Sequence, residues 1–181
     1  MRVAINGFGR IGRHSLRNIV TRQLKNVELV AINDLTDSET LAHLLKYDSV
    51  HGPFPGDISH GSNSITVNGK KILITQEKDP INLPWTSLAV DLVIESTGHF
   101  TSKEGASKHL QAGAKQVLIS APSTDKEIPT VVLGINDKTF DWSAAIFSNA
   151  SCTTNNVAPL VKILDENYGI QDGYITTVHS M

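Results

Sequence analysis

The chain has 181 residues, 40% hydrophobic and 19% charged, with one cysteine and a formal net charge of −2. That balance gives a globular protein with a real core, one domain or one domain and part of another, and no internal disulfide. Both signs of charge are spread along the chain, so no basic tract serves a nucleic acid or an anionic membrane surface.

The N-terminus runs straight into a short buried strand, Val3-Ala4-Ile5. It lacks the basic and long apolar regions of a secretory leader, and no stretch suits a membrane span, so the expected compartment is the cytoplasm. Glycines follow, then a helical stretch with Ile11, Leu16, Ile19 and Val20 near one face. Residues 27–32 form a second strand ending in Asn33-Asp34, and Ser38 opens and caps an amphipathic helix carrying Leu41, Leu44 and Leu45. Residues 64–67 and 71–74 flank Asn68-Gly69, the pair that best tolerates the positive φ angles of a type I′ hairpin turn. Another buried strand at 92–94 leads into Ser96-Thr97-Gly98, and a helix over 103–111 stops at Gly113. Strands are predicted at 117–119, 130–133 and 145–147, then a helix from Cys152 through Ile163 and Leu164, then a strand at 174–178.

Short apolar runs alternating with helices predict an α/β fold, a doubly wound, mostly parallel sheet covered on both faces. The alternation ends near residue 150, which divides the chain into a sheet domain over 1–150 and the opening of a second, α+β domain over 151–181.

Gly7-Phe8-Gly9-Arg10-Ile11-Gly12 is a GxGxxG directly after a strand and opening a helix. The three glycines serve a tight turn, close approach of a pyrophosphate, and close helix–strand packing. An acidic residue at the end of the second strand, about 20 residues on, completes the dinucleotide fingerprint, and Asp34 stands there. Its carboxylate can accept from both adenosine ribose hydroxyls and would repel a 2′-phosphate, and no Arg follows it, so NAD is favoured over NADP. The plainer role for Asp34 is a helix or turn cap. His14, His43, His51, His60, His99 and His109 show no metal-ligand spacing, and no metal site is expected.

The lone thiol lies in Ser148-Asn149-Ala150-Ser151-Cys152-Thr153-Thr154-Asn155, just ahead of a helical pattern. A helix N-terminus offers free N–H groups and partial positive charge, which suits a nucleophilic sulfur. A free cysteine buried as a small hydrophobe is the competing role, and the octapeptide alone leaves both open.

The segment Ile5 to Arg13, the octapeptide around Cys152, and Thr177-Val178-His179-Ser180 together closely resemble phosphorylating glyceraldehyde-3-phosphate dehydrogenases, from the first residue to the last. Members of that family run well beyond this length, so the resemblance implies the Rossmann cofactor domain plus the start of the catalytic domain. It implies NAD binding by Gly7, Gly9, Arg10, Ile11 and Gly12 at the first turn, and by Asp34 at the ribose. It assigns Lys78 a place beside the adenine, with Thr97, Gly98, Phe100 and Ser120 around the cofactor pocket. It implies Cys152 as nucleophile, His179 as its base, and Ser151 and Thr153 as partners of the attacking inorganic phosphate. The implied substrate is glyceraldehyde 3-phosphate, the implied setting glycolysis, and the implied assembly a homotetramer. Erythrose-4-phosphate dehydrogenase, which releases its acid to water, is the near alternative, and a catalytically incomplete NAD-binding fragment of this family is the other. Two positions depart from the pattern. Asn156 stands where many members carry a second cysteine, and Met181 follows His179-Ser180 where most have a Tyr-Thr pair.

Overall fold

A computed structural model describes residues 1–179. Eight strands form one sheet: β1 (Arg2–Asn6), β2 (Glu28–Asn33), β3 (Ile58–Gly61), β4 (Ser64–Val67), β5 (Lys70–Thr75), β6 (Leu92–Glu95), β7 (Gln116–Ile119) and β8 (Ile146–Ser148). Their spatial order is β3-β4-β5-β2-β1-β6-β7-β8. From β5 through β8 every pairing is parallel, and β3 and β4 add an antiparallel edge. Four helices, α1 (Arg10–Thr21), α2 (Ser38–Lys46), α3 (Lys103–Gln111) and α4 (Cys152–Tyr168), connect or follow these strands. The α/β, doubly wound reading is therefore correct, with the chain reversing its winding at β1.

Strand alternation sends successive side chains to opposite faces. Ile5 and Ile32 pack with Leu16 of α1 and with Leu41 and Leu45 of α2, whereas Ala4, Ala31 and Val93 face Trp85 and Leu83 on the other side. Both faces of the central strands are covered by apolar side chains up to their carboxyl ends, which is why these strands read as continuous hydrophobic runs. Asn68 and Gly69 both take positive φ, 49° and 78°, closing the β4–β5 hairpin as its sequence predicts.

Three local expectations give way. The cap of α2 is Asp37, whose Oδ1 accepts from the Thr40 N–H at 2.8 Å, while the buried Ser38 hydroxyl donates to the Gly61 carbonyl. Residues 130–133 form no strand, only a bridge from Thr130 to Ser148. Asn136 Oδ1 takes the Val132 N–H and turns the chain away from the sheet. Nor is there a strand at 174–178: Tyr174 is fully exposed and Val178 93% exposed, with no neighbouring strand to supply a ladder. The short edge strand β3 escaped prediction because Ile-Ser-His-Gly carries no apolar alternation.

No helix of the described residues is long and apolar enough to cross a membrane.

Candidate functional site

Because β2, β1, β6, β7 and β8 run parallel, their carboxyl ends share one edge of the sheet. Along that edge lie, in spatial order, Asp34 after β2, Gly7 after β1, the 96–100 loop after β6, Ser120 after β7, and the segment leading to Cys152 after β8. Four strand spacings separate the first from the last, roughly 19 Å at ~4.8 Å each. The reversal of winding at β1 opens a cleft there of about 540 Å³. Gly7, Gly9, Asp34, Lys78, Thr97 and Phe100 line it, together with Asn6, Asn33, Glu77 and His99.

The glycine turn is built by close approach. Gly7 has φ +90°, and a Cβ there would lie 2.7 Å from the Thr97 N and 2.8 Å from the Ser96 carbonyl carbon. A Cβ on Gly12 would overlap the Gly7 carbonyl oxygen and press on Ile5. Gly9 differs, since nothing stands within 4 Å of its missing Cβ. It is the N-cap of α1 and makes no side-chain cap, and the first turn carries no acidic residue. The space beside Gly9 is thus open at the positive end of α1, whose first N–H groups have no side-chain cap, an arrangement that suits a phosphate group. Arg10 and Ile11 are exposed on that first turn.

Asp34 is fixed at the mouth of the cleft. Its Oδ2 accepts from the Phe8 N–H at 2.7 Å and its Oδ1 from the Thr36 N–H at 3.0 Å. It therefore stabilises its own turn, and each oxygen keeps a lone pair for a ligand hydroxyl. Gly98 takes φ +77° in the loop after β6, and the half-buried Ser120 donates its N–H to the Glu95 carbonyl.

Cys152 is the first residue of α4 and is exposed in this chain. The turn that delivers it is tight. Ala150 sits in the left-handed region at φ +58°, a conformation L-residues adopt at a cost. The Ala150 N–H donates to Ser148 Oγ at 3.0 Å, and Asn155 Nδ2 reaches back to the Asn149 carbonyl at 2.6 Å. Ser151 caps the helix by accepting from the Thr154 N–H at 2.9 Å, and Thr153 is half-buried beside it. His179 is exposed in the irregular segment after α4, and among the described residues no hydrogen bond joins it to Cys152. Of the segment Thr177 to Ser180, Ser180 lies outside the described residues.

Residues 1–103 match the family model for the glyceraldehyde 3-phosphate dehydrogenase NAD binding domain, and 151–181 match the C-terminal domain of the same family. The chain belongs to the glyceraldehyde 3-phosphate dehydrogenase family. It is 57% identical over 179 residues to a glyceraldehyde-3-phosphate dehydrogenase of Thermotoga maritima, covering 99% of this chain and 54% of that protein. Similar enzymes of Geobacillus stearothermophilus and Mycoplasma pneumoniae are each 54% identical, over 99% of this chain and 53% of theirs. The chain thus spans about half the length of the curated relatives it matches. With the family shown, the cleft at the first turn belongs to an NAD-binding domain.

Sequence reasoning missed a set of buried polar residues behind the cleft. Asn6, Asn33, Glu95 and His109 are all buried, and they are joined in a chain of hydrogen bonds. One signal could have found part of it: Asn6 and Asn33 end neighbouring apolar strands in the same register. Glu95 and His109 carry no such mark, being single polar residues on different elements. Among the described residues no group of His, Cys, Asp and Glu could hold a metal ion.

Proposed function

We propose that this chain supplies the NAD site and the nucleophile of a phosphorylating glyceraldehyde-3-phosphate dehydrogenase. The observation that carries this reading is the placement of an exposed thiol, Cys152, at a helix start on the same sheet edge as the cofactor cleft. Residues 1–150 act as the cofactor domain and 151–181 as the opening of the catalytic domain, in keeping with the C-terminal family match from residue 151.

Asp34 accepts from the adenosine ribose hydroxyls, and Lys78 lines the adenine end of the cleft. The open N–H groups above Gly9, with Arg10 and Ile11, receive the pyrophosphate, while Gly7 and Gly12 provide the close packing that leaves room for it. Thr97, Gly98, Phe100 and Ser120 border the cofactor toward Cys152. When bound, NAD accepts a hydride.

The Cys152 thiolate adds to the aldehyde carbon, giving a thiohemiacetal whose carbon can release hydride, which a free aldehyde does poorly. Loss of that hydride leaves a thioester on Cys152. His179 takes the proton that the Cys152 thiol loses on becoming the thiolate, and the resulting imidazolium stabilises the oxyanion formed on addition. Inorganic phosphate, held by Ser151 and Thr153, attacks the thioester carbonyl and frees the thiolate, yielding the acyl phosphate 1,3-bisphosphoglycerate. The reaction belongs to glycolysis, in the cytoplasm, and the full-length protein assembles as a homotetramer.

The test joins this sequence to the remaining half of the Thermotoga maritima relative and follows NADH absorbance with glyceraldehyde 3-phosphate. Turnover that requires inorganic phosphate and vanishes in Cys152→Ser supports the reading. Comparable turnover in phosphate-free buffer points instead to the hydrolytic, erythrose-4-phosphate type of enzyme, and residual turnover in Cys152→Ser removes the nucleophile assignment.

A further inference from the structure

Behind the cleft, at the carboxyl end of β6, Glu95 is 1% exposed and carries four donated hydrogen bonds. Its Oε1 accepts from the N–H of Thr97 at 2.8 Å and from the Thr97 hydroxyl. Its Oε2 accepts from Asn6 Nδ2 at 2.6 Å and from His109 Nε2 at 2.9 Å. The direction of the last bond is fixed from the other side of the ring. Trp85 Nε1, which can only donate, reaches His109 Nδ1 at 3.0 Å, so the imidazole hydrogen lies on Nε2.

A carboxylate in this position does little for stability that apolar side chains of the same volume would not do as well. What distinguishes it is where its partners lead. Asn6 precedes Gly7, whose carbonyl also accepts from Ser96 Oγ at 2.7 Å. Thr97 is a wall of the cleft. His109 lies under Phe100, ring edge to ring face with centroids 6.3 Å apart, and Phe100 lines the cleft too. The Asp34 side is held directly by Phe8 N–H to Asp34 and by Asp34 N–H to the Thr75 carbonyl, and meets the Glu95 network only at Asn33, whose Oδ1 accepts from the Glu77 N–H and whose Nδ2 donates to Asn6 Oδ1 at 2.7 Å.

We infer that Glu95 is a positioning residue for the cofactor cleft, holding the Gly7 turn in register with the Thr97–Phe100 loop and thereby shaping the half of the cleft beyond the adenosine. The inference rests on the reading of that cleft as an NAD site. Glu95→Gln changes one oxygen to an NH2 group at nearly constant volume. If that group faces Thr97 it meets the backbone N–H. If it faces the other way it meets Asn6 Nδ2 and His109 Nε2, both donors. No orientation satisfies all partners, so the loop and the turn lose their common anchor.

The test titrates the 181-residue chain and its Glu95→Gln variant with NAD and, separately, with AMP, at a temperature where circular dichroism shows both fully folded. AMP engages the Asp34 side and the start of α1 only. The expected result is about a tenfold loss of NAD affinity, equal to about 1.4 kcal/mol, with AMP affinity changed less than about twofold. NAD affinity retained in the variant, or equal losses of NAD and AMP, overturns the inference. Absence of NAD binding by the unsubstituted chain overturns the cofactor reading instead, so the two failures are distinct. Should Glu95→Gln not fold, Trp85→Phe removes the indole N–H at the far end of the network together with part of a fully buried ring, and is titrated at a temperature where circular dichroism shows it fully folded. It should weaken NAD by about threefold and leave AMP unchanged, and equal losses again refute the positioning role.

Discussion

Gly9→Ala and Gly12→Ala should separate cofactor binding from folding within a single turn of chain. The Cβ of an alanine at 9 meets nothing within 4 Å, and the backbone there, at φ −69°, needs no left-handed conformation. Alanine is a poorer N-cap than glycine, so the cost to stability stays below about 1 kcal/mol. The methyl group, however, occupies the approach to the α1 N–H groups. Hydrogen bonds to a charged group and the helix-end charge together make that approach worth about 2 kcal/mol, which predicts roughly a thirtyfold loss of NAD affinity. At 12 the new Cβ overlaps the Gly7 carbonyl oxygen, which cannot retreat freely because Ser96 Oγ donates to it at 2.7 Å. Overpacking of this kind costs about 1–3 kcal/mol, or a fall in Tm of roughly 3–10 °C for a chain of this size. Calorimetric titration with NAD and thermal unfolding by circular dichroism read the two quantities. Unchanged NAD affinity in Gly9→Ala, or a wild-type Tm in Gly12→Ala, would refute this account of the turn.

Asp34→Ala should weaken NAD and narrow its advantage over NADP, since the substitution removes both the ribose acceptor and the repulsion of a 2′-phosphate. Titrations with both cofactors check this, and an unchanged ratio would count against the ribose role. Ala150→Gly should raise stability by up to about 1 kcal/mol, because the left-handed φ of +58° suits glycine; a lower Tm would show that the methyl group is needed in the turn. Asp48 accepts the backbone N–H groups of His51 and Val50, which lower its pKa from 3.8 to about 2. The depressed value means that this turn contributes its stability above pH 3.8 and loses it as pH falls through about 2. Carboxyl carbon NMR of Asp48 should therefore titrate near 2, and a midpoint near 3.8 would mean that the turn does not persist in solution.

Much of the cofactor half was legible because its signals are local. A strand, three glycines at fixed spacing and an acidic residue at the next strand end each answer a backbone need, and so does Asn68-Gly69 in its hairpin. Cys152 was legible as the start of a helix, but its exposure in the fold was not, since the octapeptide suits a packed thiol equally well. The cap of α2 was misplaced by one residue because Asp37 and Ser38 are both good caps, and the burial of Ser38 against Gly61 settles which one is free. The segments at 130–133 and 174–178 have strand-like composition, yet a strand needs a neighbour, which pattern alone does not supply. Glu95 and His109 stand 14 residues apart on β6 and α3 and meet only when the sheet is assembled. No periodicity marks such a pair.

The cleft over Gly9, bounded by Asp34 and Thr97, should bind NAD and read its ribose. Isothermal titration of the 181-residue chain with NAD and with NADP tests it most directly. Saturable one-to-one binding of NAD is expected, with NADP at least about tenfold weaker, a difference of about 1.4 kcal/mol. Equal affinity for the two, or no binding of NAD, would contradict it.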